Sequence, residues 1–326
     1  MTLAHAIRLA EFGGPDVMRL ETIELPAPAA GEVQLRQTAV GFNYLDISQR
    51  AGKVPLPAPT GLGHEAAGVV EAVGEGVTGL ALGDHVVTMN AGIGAYADRR
   101  NVPAARLVKI PDGISDEDAA AVFFKAMTAQ YLVKKTHAVQ PGDIVVVHAA
   151  AGGVGQILSG WAKALGATVI GTVGSAAKCD VARAAGCDVA VDYSQPDWVA
   201  QVVDATGGRK ARVVYDSVAK HTFLGSLDCT APFGLVVLFG AASGPAPEIQ
   251  PELLNKKGCL FLTRPSVFPH NADPATFRAN AADVFDAIKS GAVRATIGAR
   301  FPLAQVADAH RAAEGRATTG AIVLLP

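Results

Sequence analysis

Cysteine is scarce. Only Cys179, Cys187, Cys229 and Cys259 occur in 326 residues, none of them in a CxxC pair. This excludes a disulfide framework and a cysteine-rich metal centre, and it fits a reducing compartment. Positive charge is not in excess: 28 Lys and Arg stand against 30 Asp and Glu, a formal net charge of −2. Aromatic residues make up only 6%. A basic patch or an aromatic platform for nucleic acid is therefore missing, as is an attraction to acidic membranes. No uncharged apolar run reaches the roughly 18 residues of a membrane span. The opening MTLAHAIRLAEFGG carries Arg8 and Glu11 where a signal peptide needs an unbroken apolar core. The expectation is a cytoplasmic protein without membrane or nucleic-acid partners.

What is present is the material of a packed α/β enzyme. Apolar residues reach 50%, charged residues 18%, and 35 glycines supply tight turns. At about 150 residues per domain, the length suggests two domains. Up to about residue 120 the chain reads as short strands such as HAIRLAEF, MRLETIEL, EVQLRQTAVGF, GVVEAVG and HVVTM, bounded by Gly, Pro or Asp. Ser115 with Asp118 resembles a capping box and opens a helix over 118–125. From 126 to 263, strands alternate with helices. Strands are expected at 144–147, Thr168–Val173, Val189–Asp192, 213–216, 235–239 and 259–263. Apolar residues at 154, 157, 158, 161, 162 and 165 mark one face of a helix after the first of them. That alternation implies a doubly wound parallel sheet. The tail has helices near 276–290 and 303–314 and a strand at Ala321–Leu325, too little for a core of its own. Domains are expected at 1–125 and 126–265, with 266–326 packing back onto the first.

The strongest motif is His148-Ala-Ala-Ala151-Gly152-Gly153-Val154-Gly155, between a buried strand and an amphipathic helix. A pyrophosphate needs a turn whose backbone N–H groups it can approach, and it gains from the positive end of the helix dipole. Gly152 and Gly153 allow the approach, and Gly155 allows helix to pack on strand. The spacing is AxxGxxG from Ala149. At the end of the next strand, Gly171-Thr-Val-Gly174-Ser175-Ala-Ala-Lys178 has no carboxylate for a ribose 2′-OH. Ser175 and Lys178 suit a 2′-phosphate, so the cofactor is expected to be NADPH. Ser217 and the Arg264-Pro-Ser266 segment follow strand ends, where doubly wound sheets bind ligands.

Gly61-Leu-Gly-His-Glu-Ala-Ala-Gly68, Phe124-Lys-Ala-Met-Thr128, the 149–155 turn and Val214-Tyr-Asp-Ser217 carry a resemblance. The chain resembles the zinc-independent quinone oxidoreductases, similar to zeta-crystallin, of the medium-chain dehydrogenase/reductase superfamily. Among them it looks most like the bacterial NADPH:quinone reductases. The likeness runs from Phe12-Gly-Gly-Pro15 to Arg316-Ala-Thr-Thr-Gly320. It implies a GroES-like β-rich catalytic domain with an inserted Rossmann doubly wound sheet, hydride transfer from NADPH to a quinone, and a homodimer. The dimer would pair through the 259–263 strand at the edge of the sheet. It also implies that no zinc is held. Asn43 stands where the zinc alcohol dehydrogenases carry their first cysteine ligand, and His64-Glu65 has no thiolate partner. Without a Lewis acid the acceptor must already be electron-poor, a quinone or a conjugated enone.

The same resemblance implies a nicotinamide pocket from Asn43, Asp46, Tyr131 and the Phe239-Gly240-Ala-Ala-Ser243 loop. Asn43 and Asp46 would orient the carboxamide or bond the substrate oxygen. Tyr193 would stack on adenine, Lys125 and Thr128 lie near the join of the domains, and Arg316 rests on the resemblance alone. His64 stands where relatives often have a hydroxyl residue, and it is a candidate to donate or relay a proton. Ser48 and Val54 stand where the bacterial reductases tend to have tyrosines. An alkenal or enone reductase and an NADPH-binding protein with little turnover remain as alternatives.

Overall fold

The computed structural model describes residues 2–315 and 318–326, so Arg316 lies outside the described residues. The chain divides into two compact units. The first takes Met1–Phe124, Asn271–Ala282 and Ala295–Pro326; the second takes Lys125–His270 and Asp283–Arg294. The second unit thus ends at 270 rather than at the expected 265, and a short piece of the tail joins it.

The first unit runs β1 (Thr2–Leu9), β2 (Met18–Leu25), β3 (Glu32–Gly41), α1 (Tyr44–Arg50), β4 (Thr60–Gly61), β5 (Glu65–Val73), β6 (His85–Met89), β7 (Arg99–Pro103) and β8 (Leu107–Lys109), then enters α2 (Asp116–Tyr131). Sequence periodicity does not reveal α1, which is only seven residues long and starts on a polar pair, Asn43 and Asp46. Strand β7 is hidden by Arg99 and Arg100. Arg100 is nonetheless buried, and its Nη2 donates to the carbonyls of Ala91 at 2.7 Å and Gly92 at 3.2 Å. The Ser115 cap forms as expected, with the Asp118 N–H donating to Ser115 Oγ at 3.0 Å. Helix α2 then continues past 125 to Tyr131, because no Gly or Pro interrupts it, and ends in a π-turn at Leu132–Thr136.

The second unit runs β9 (Ile144–His148), α3 (Gly153–Ala164), β10 (Thr168–Val173), α4 (Cys179–Ala184), β11 (Val189–Asp192), α5 (Trp198–Ala205), β12 (Ala211–Asp216), α6 (Phe223–Cys229), β13 (Thr230–Leu238), α7 (Glu252–Lys256), β14 (Phe261–Thr263) and α8 (Val267–His270). Its six strands lie in the order β11-β10-β9-β12-β13-β14, and every pair is parallel. Strand β9 is buried along its whole length, as a central strand covered on both faces must be. Strand β14 starts two residues later than expected, since Cys259 has φ +56° and cannot extend the strand backwards.

The return passes through α9 (Pro274–Lys289), β15 (Ile297–Pro302), α10 (Val306–Glu314) and β16 (Ala321–Leu325). Strand β16 pairs with β3, completing a sheet ordered β15-β16-β3-β5-β6-β8 with β7 also on β3; β2-β1-β4 form a smaller sheet. Its core joins both ends of the chain: Ile7, Leu9, Phe42 and Leu62 pack with Leu303, Val306 and Leu324.

Candidate active site

In the second unit, the candidate cofactor residues follow the carboxyl ends of parallel strands. The 149–155 turn follows β9, Gly174 to Lys178 follow β10, and Tyr193 follows β11. Ser217 follows β12, Phe239 to Ser243 follow β13, and Arg264 to Ser266 follow β14. Six parallel strands bring these segments to one edge of the sheet, where β9 and β12 form the switch point of the strand order.

The turn itself is tight. Ala149 sits at φ +53°, a left-handed conformation costly for a residue with a Cβ. The Gly152 N–H closes on the Ala149 carbonyl at 2.8 Å. Helix α3 starts with Gly152 as its N-cap and no side-chain cap, so its first N–H groups remain for a ligand. A Cβ on Gly155 would lie 2.2 Å from the Ala149 oxygen, which is why helix and turn meet only at glycine. Gly174 is exposed and a Cβ there would lie 2.9 Å from the Tyr193 hydroxyl. A Cβ on Gly240 would lie 2.7 Å from the Ser217 carbonyl. These open, backbone-lined positions and the absence of a carboxylate between Gly171 and Lys178 fit a dinucleotide carrying a 2′-phosphate.

Beneath the turn lies a polar chain that sequence reading missed. Thr172 Oγ1 is 2.6 Å from His148 Nδ1, His148 Nε2 is 2.9 Å from Ser226 Oγ, and Ser226 donates to Asp216 at 2.8 Å. Asp216 also accepts from the Val218 and Ala219 N–H groups, each at 2.9 Å. All four side chains are fully buried. Burial lowers the His148 pKa, with the Asp216 charge opposing, so a neutral ring with Nε2–H is the tautomer that satisfies both neighbours. The chain ties the end of β9 to the start of the β12–α6 loop. Its signal in the sequence is one polar residue near the end of each of three apolar strands.

The first unit has its own buried cluster. Asn43 caps α1, and its N–H donates to Asp46 Oδ2 at 2.9 Å in a capping box. Tyr96 Oη donates to the same oxygen at 2.8 Å. Behind Tyr96, His310 lies 3.4 Å from its hydroxyl and 3.4 Å from Arg50 Nη1, and Arg50 forks onto Glu314 at 2.6 and 3.2 Å. On the other side, Asn43 Nδ2 donates to Glu65 Oε2 at 3.0 Å, and the Phe124 N–H donates to Glu65 Oε1 at 2.5 Å. Asp46 and Glu65 have no exposed surface. Asp46, expected to touch ligand, is wholly buried and accepts from the Asn43 N–H and the Tyr96 hydroxyl.

His64 is 7% exposed, and its Nε2 is 3.0 Å from Gln49 Oε1. Since that oxygen only accepts, Nε2 carries the proton. Burial, with Arg100 adding to it, brings the His64 pKa down to about 4. With its pKa lowered in this way the ring is neutral near pH 7, its Nε2–H directed to Gln49. His310 is pushed down to about 3 by burial and then by Arg50. Histidines held neutral when folded take up protons on unfolding, so their contribution is complete above about pH 6.5 and shrinks as the pH falls towards 4. The Tm is expected to drop steadily between pH 6.5 and 4, with His64→Gln flattening the slope. A parallel slope in that variant would show that His64 titrates as an ordinary exposed histidine.

Comparison with known proteins agrees with this geometry. Residues 29–112 match the family described as alcohol dehydrogenase GroES-like domain, and residues 153–278 match zinc-binding dehydrogenase. A quinone oxidoreductase of Pseudomonas aeruginosa is 43% identical over 99% of this chain and 100% of its own. The chain belongs to the quinone oxidoreductase family of the medium-chain dehydrogenases/reductases. A 2-haloacrylate reductase of Burkholderia is 44% identical over 96% of each chain. The Escherichia coli quinone oxidoreductase complexed with NADPH matches with a TM-score of 0.96 and 40% identity, covering 99% of this chain and 100% of that one. The two-part fold is therefore a GroES-like domain with an inserted Rossmann domain, as in other quinone oxidoreductases.

The donor set of this quinone oxidoreductase does not fit the zinc that one family description implies. The Glu65 carboxylate is taken by Asn43 and Phe124, and His64 Nε2 by Gln49. Among the described residues no group of three or more His, Cys, Asp or Glu stands in position for a metal. Other expected site residues have structural partners. Tyr131 is 1% exposed and stacks on His270 with ring centroids 4.5 Å apart. Ser243 Oγ donates to the Val218 carbonyl at 2.7 Å, and Ser266 Oγ accepts from Phe268. Arg264 is exposed and reaches the Leu238 and Gly240 carbonyls at 3.4 Å. Lys125 and Thr128 are buried on α2.

Proposed function

We propose that this chain is a zinc-independent reductase that uses NADPH to reduce a quinone. The observation that carries the reading is the 149–155 turn beneath an uncapped α3, followed at the end of β10 by Ser175 and Lys178 instead of a carboxylate. Bound NADPH supplies a hydride, and with one proton from solvent the quinone becomes hydroquinone. The chain binds and orients. The N–H groups of Gly153 and Val154 face the pyrophosphate, with Ala151 and Gly152 forming the turn. Ser175 and Lys178 hold the 2′-phosphate, Tyr193 flanks adenine beside Gly174, and Ser217 and Gly240 border the nicotinamide side. Tyr131, Phe239, Arg264 and Ser266 complete that region, with Ser243 keeping its loop in place. In the first unit, Asn43 meets the carboxamide or the substrate oxygen, and Asp46 holds Asn43. Lys125 and Thr128 lie where α2 passes into the nucleotide unit.

The first unit is the catalytic domain in this reading, and the second binds the nucleotide. A homodimer through the β14 edge is supported by exposed Phe233, Phe261 and Leu262 there. Four free cysteines support a cytoplasmic setting. A second acceptor class, conjugated alkenes activated by a carbonyl, is supported by the Burkholderia relative's name.

The test is NADPH oxidation with an ortho-quinone, a para-quinone and an enal side by side, with an NADH control, on protein assayed for metal and sized by gel filtration. Rapid oxidation of NADPH but not NADH with a quinone, by a metal-free dimer, is expected. Turnover with the enal alone would move the assignment to the alkene reductases. No turnover with any acceptor despite NADPH binding would leave a binding protein. One zinc per chain or a monomer would overturn those parts of the reading.

A further inference from the structure

Glu65 controls the Asn43 amide. The register of β3 and β5 sets Gly41 opposite Glu65, and the wholly buried carboxylate reaches into the middle of α2. Its two oxygens accept from Asn43 Nδ2 and from the Phe124 N–H. A carboxylate only accepts, so it forces the nitrogen of the amide towards itself. The amide oxygen is then left towards the Asp46 N–H in the capping box. The amide has two N–H bonds. One is committed to Glu65, and among the described residues nothing else accepts from the other. Asn43 is 6% exposed, and the bonds to Glu65 and Asp46 fix the direction of this donor.

We propose that Glu65 is a positioning residue for hydride transfer, holding Asn43 so that its second amide N–H donates to the acceptor oxygen as negative charge develops there. The assignment rests on the reductase reading. A fixed donor costs no reorganisation at the moment of reaction, which makes it more effective than a mobile one. Glu65 thus does through hydrogen bonding what a metal ligand set does elsewhere: it fixes one polar group at the reacting carbonyl.

Two variants test this. In Glu65→Gln the side chain keeps an oxygen on the Phe124 N–H, but it now offers N–H to residue 43, so the amide can turn over. The expected result is a fall in kcat of about a hundredfold, the size of losing one oxyanion donor. The KM and Kd for NADPH stay within about threefold of wild type, since in this assignment Asn43 meets the substrate oxygen and not the carboxamide, and the phosphates are held elsewhere. The swap Asn43→Asp with Glu65→Gln restores every hydrogen bond between 43, 46, 65 and 124 and keeps the charge count, but it removes the free N–H. Its Tm is expected to return to the wild-type value while kcat stays low. Recovery of kcat together with Tm in the swap would show a purely structural role, as would unchanged kcat in Glu65→Gln. Loss of NADPH affinity in step with kcat would place the pair in cofactor binding and overturn the assignment. Wild-type turnover separates the two claims: an inactive wild type overturns the reductase reading and this inference with it, whereas active variants beside an active wild type overturn this inference alone.

Discussion

Gly41→Ala is expected to cost most of the folded protein's stability. A Cβ there would lie 2.2 Å from the Ala120 carbonyl oxygen and 2.2 Å from Glu65 Oε2. The first neighbour is helix backbone and the second is a buried carboxylate, so neither can give way cheaply. Overpacking of this kind costs roughly 1–3 kcal/mol. Displacing the carboxylate leaves the Asn43 and Phe124 N–H groups buried without partners, at about 1–3 kcal/mol each. The total is on the order of 5 kcal/mol, the lower end of a whole domain's stability. Expression as aggregate, or a Tm lowered by more than about 10 °C, is the expected outcome. Gly14→Ala is the control, since Gly14 has φ −69° and nothing lies within 4 Å of its would-be Cβ. Equal melting temperatures for the two variants would show that β3 and α2 leave room for a Cβ at Gly41.

Lys178→Glu should separate the two nicotinamide cofactors. Lys178 stands at the end of the short 3-10 turn after β10, with its N–H donating to the Ser175 carbonyl at 3.0 Å. If Ser175 and Lys178 hold the 2′-phosphate, the substitution replaces an attraction by a repulsion against a doubly charged group. At a partly screened site each such change is worth on the order of 1–2 kcal/mol. NADPH should bind roughly a hundredfold more weakly, and NADH within a few-fold of its original affinity. Fluorescence titration of both cofactors reads this directly, and equal losses would remove the 2′-phosphate assignment.

Some elements were legible to the residue. Thr168–Val173, Val189–Asp192 and Ala321–Leu325 stand where periodicity put them, because buried strands write themselves as β-branched runs between turn residues. Helix α1 was not legible, because Asn43 and Asp46 look like loop formers until their capping box is seen. The phosphate turn was readable since all its parts are consecutive. The clusters around it were not. Asp46 and Tyr96 are 50 residues apart, His148 and Ser226 are 78 apart, and a single sequence does not show who faces whom. Glu65 was visible only as half of a metal pair without its thiolate, and its role emerged once both of its oxygens had partners. His64 was visible as a titratable residue type, but its burial and the lowered pKa that follows were not.

The pairing of β16 with β3 sets a timetable for synthesis. Arg50 and its partner Glu314 are 264 residues apart in the chain. A ribosome adding about 5–20 residues per second needs roughly 13–50 s to cover that separation. Meanwhile most of the nucleotide unit, a continuous Lys125–His270 stretch, has already emerged with its parallel sheet complete. The half-made first unit must wait with the β3 edge uncovered and the Arg50 guanidinium without its carboxylate. Glu314 and strand β16 therefore close the first domain that began to fold, and they do so after the second unit has emerged.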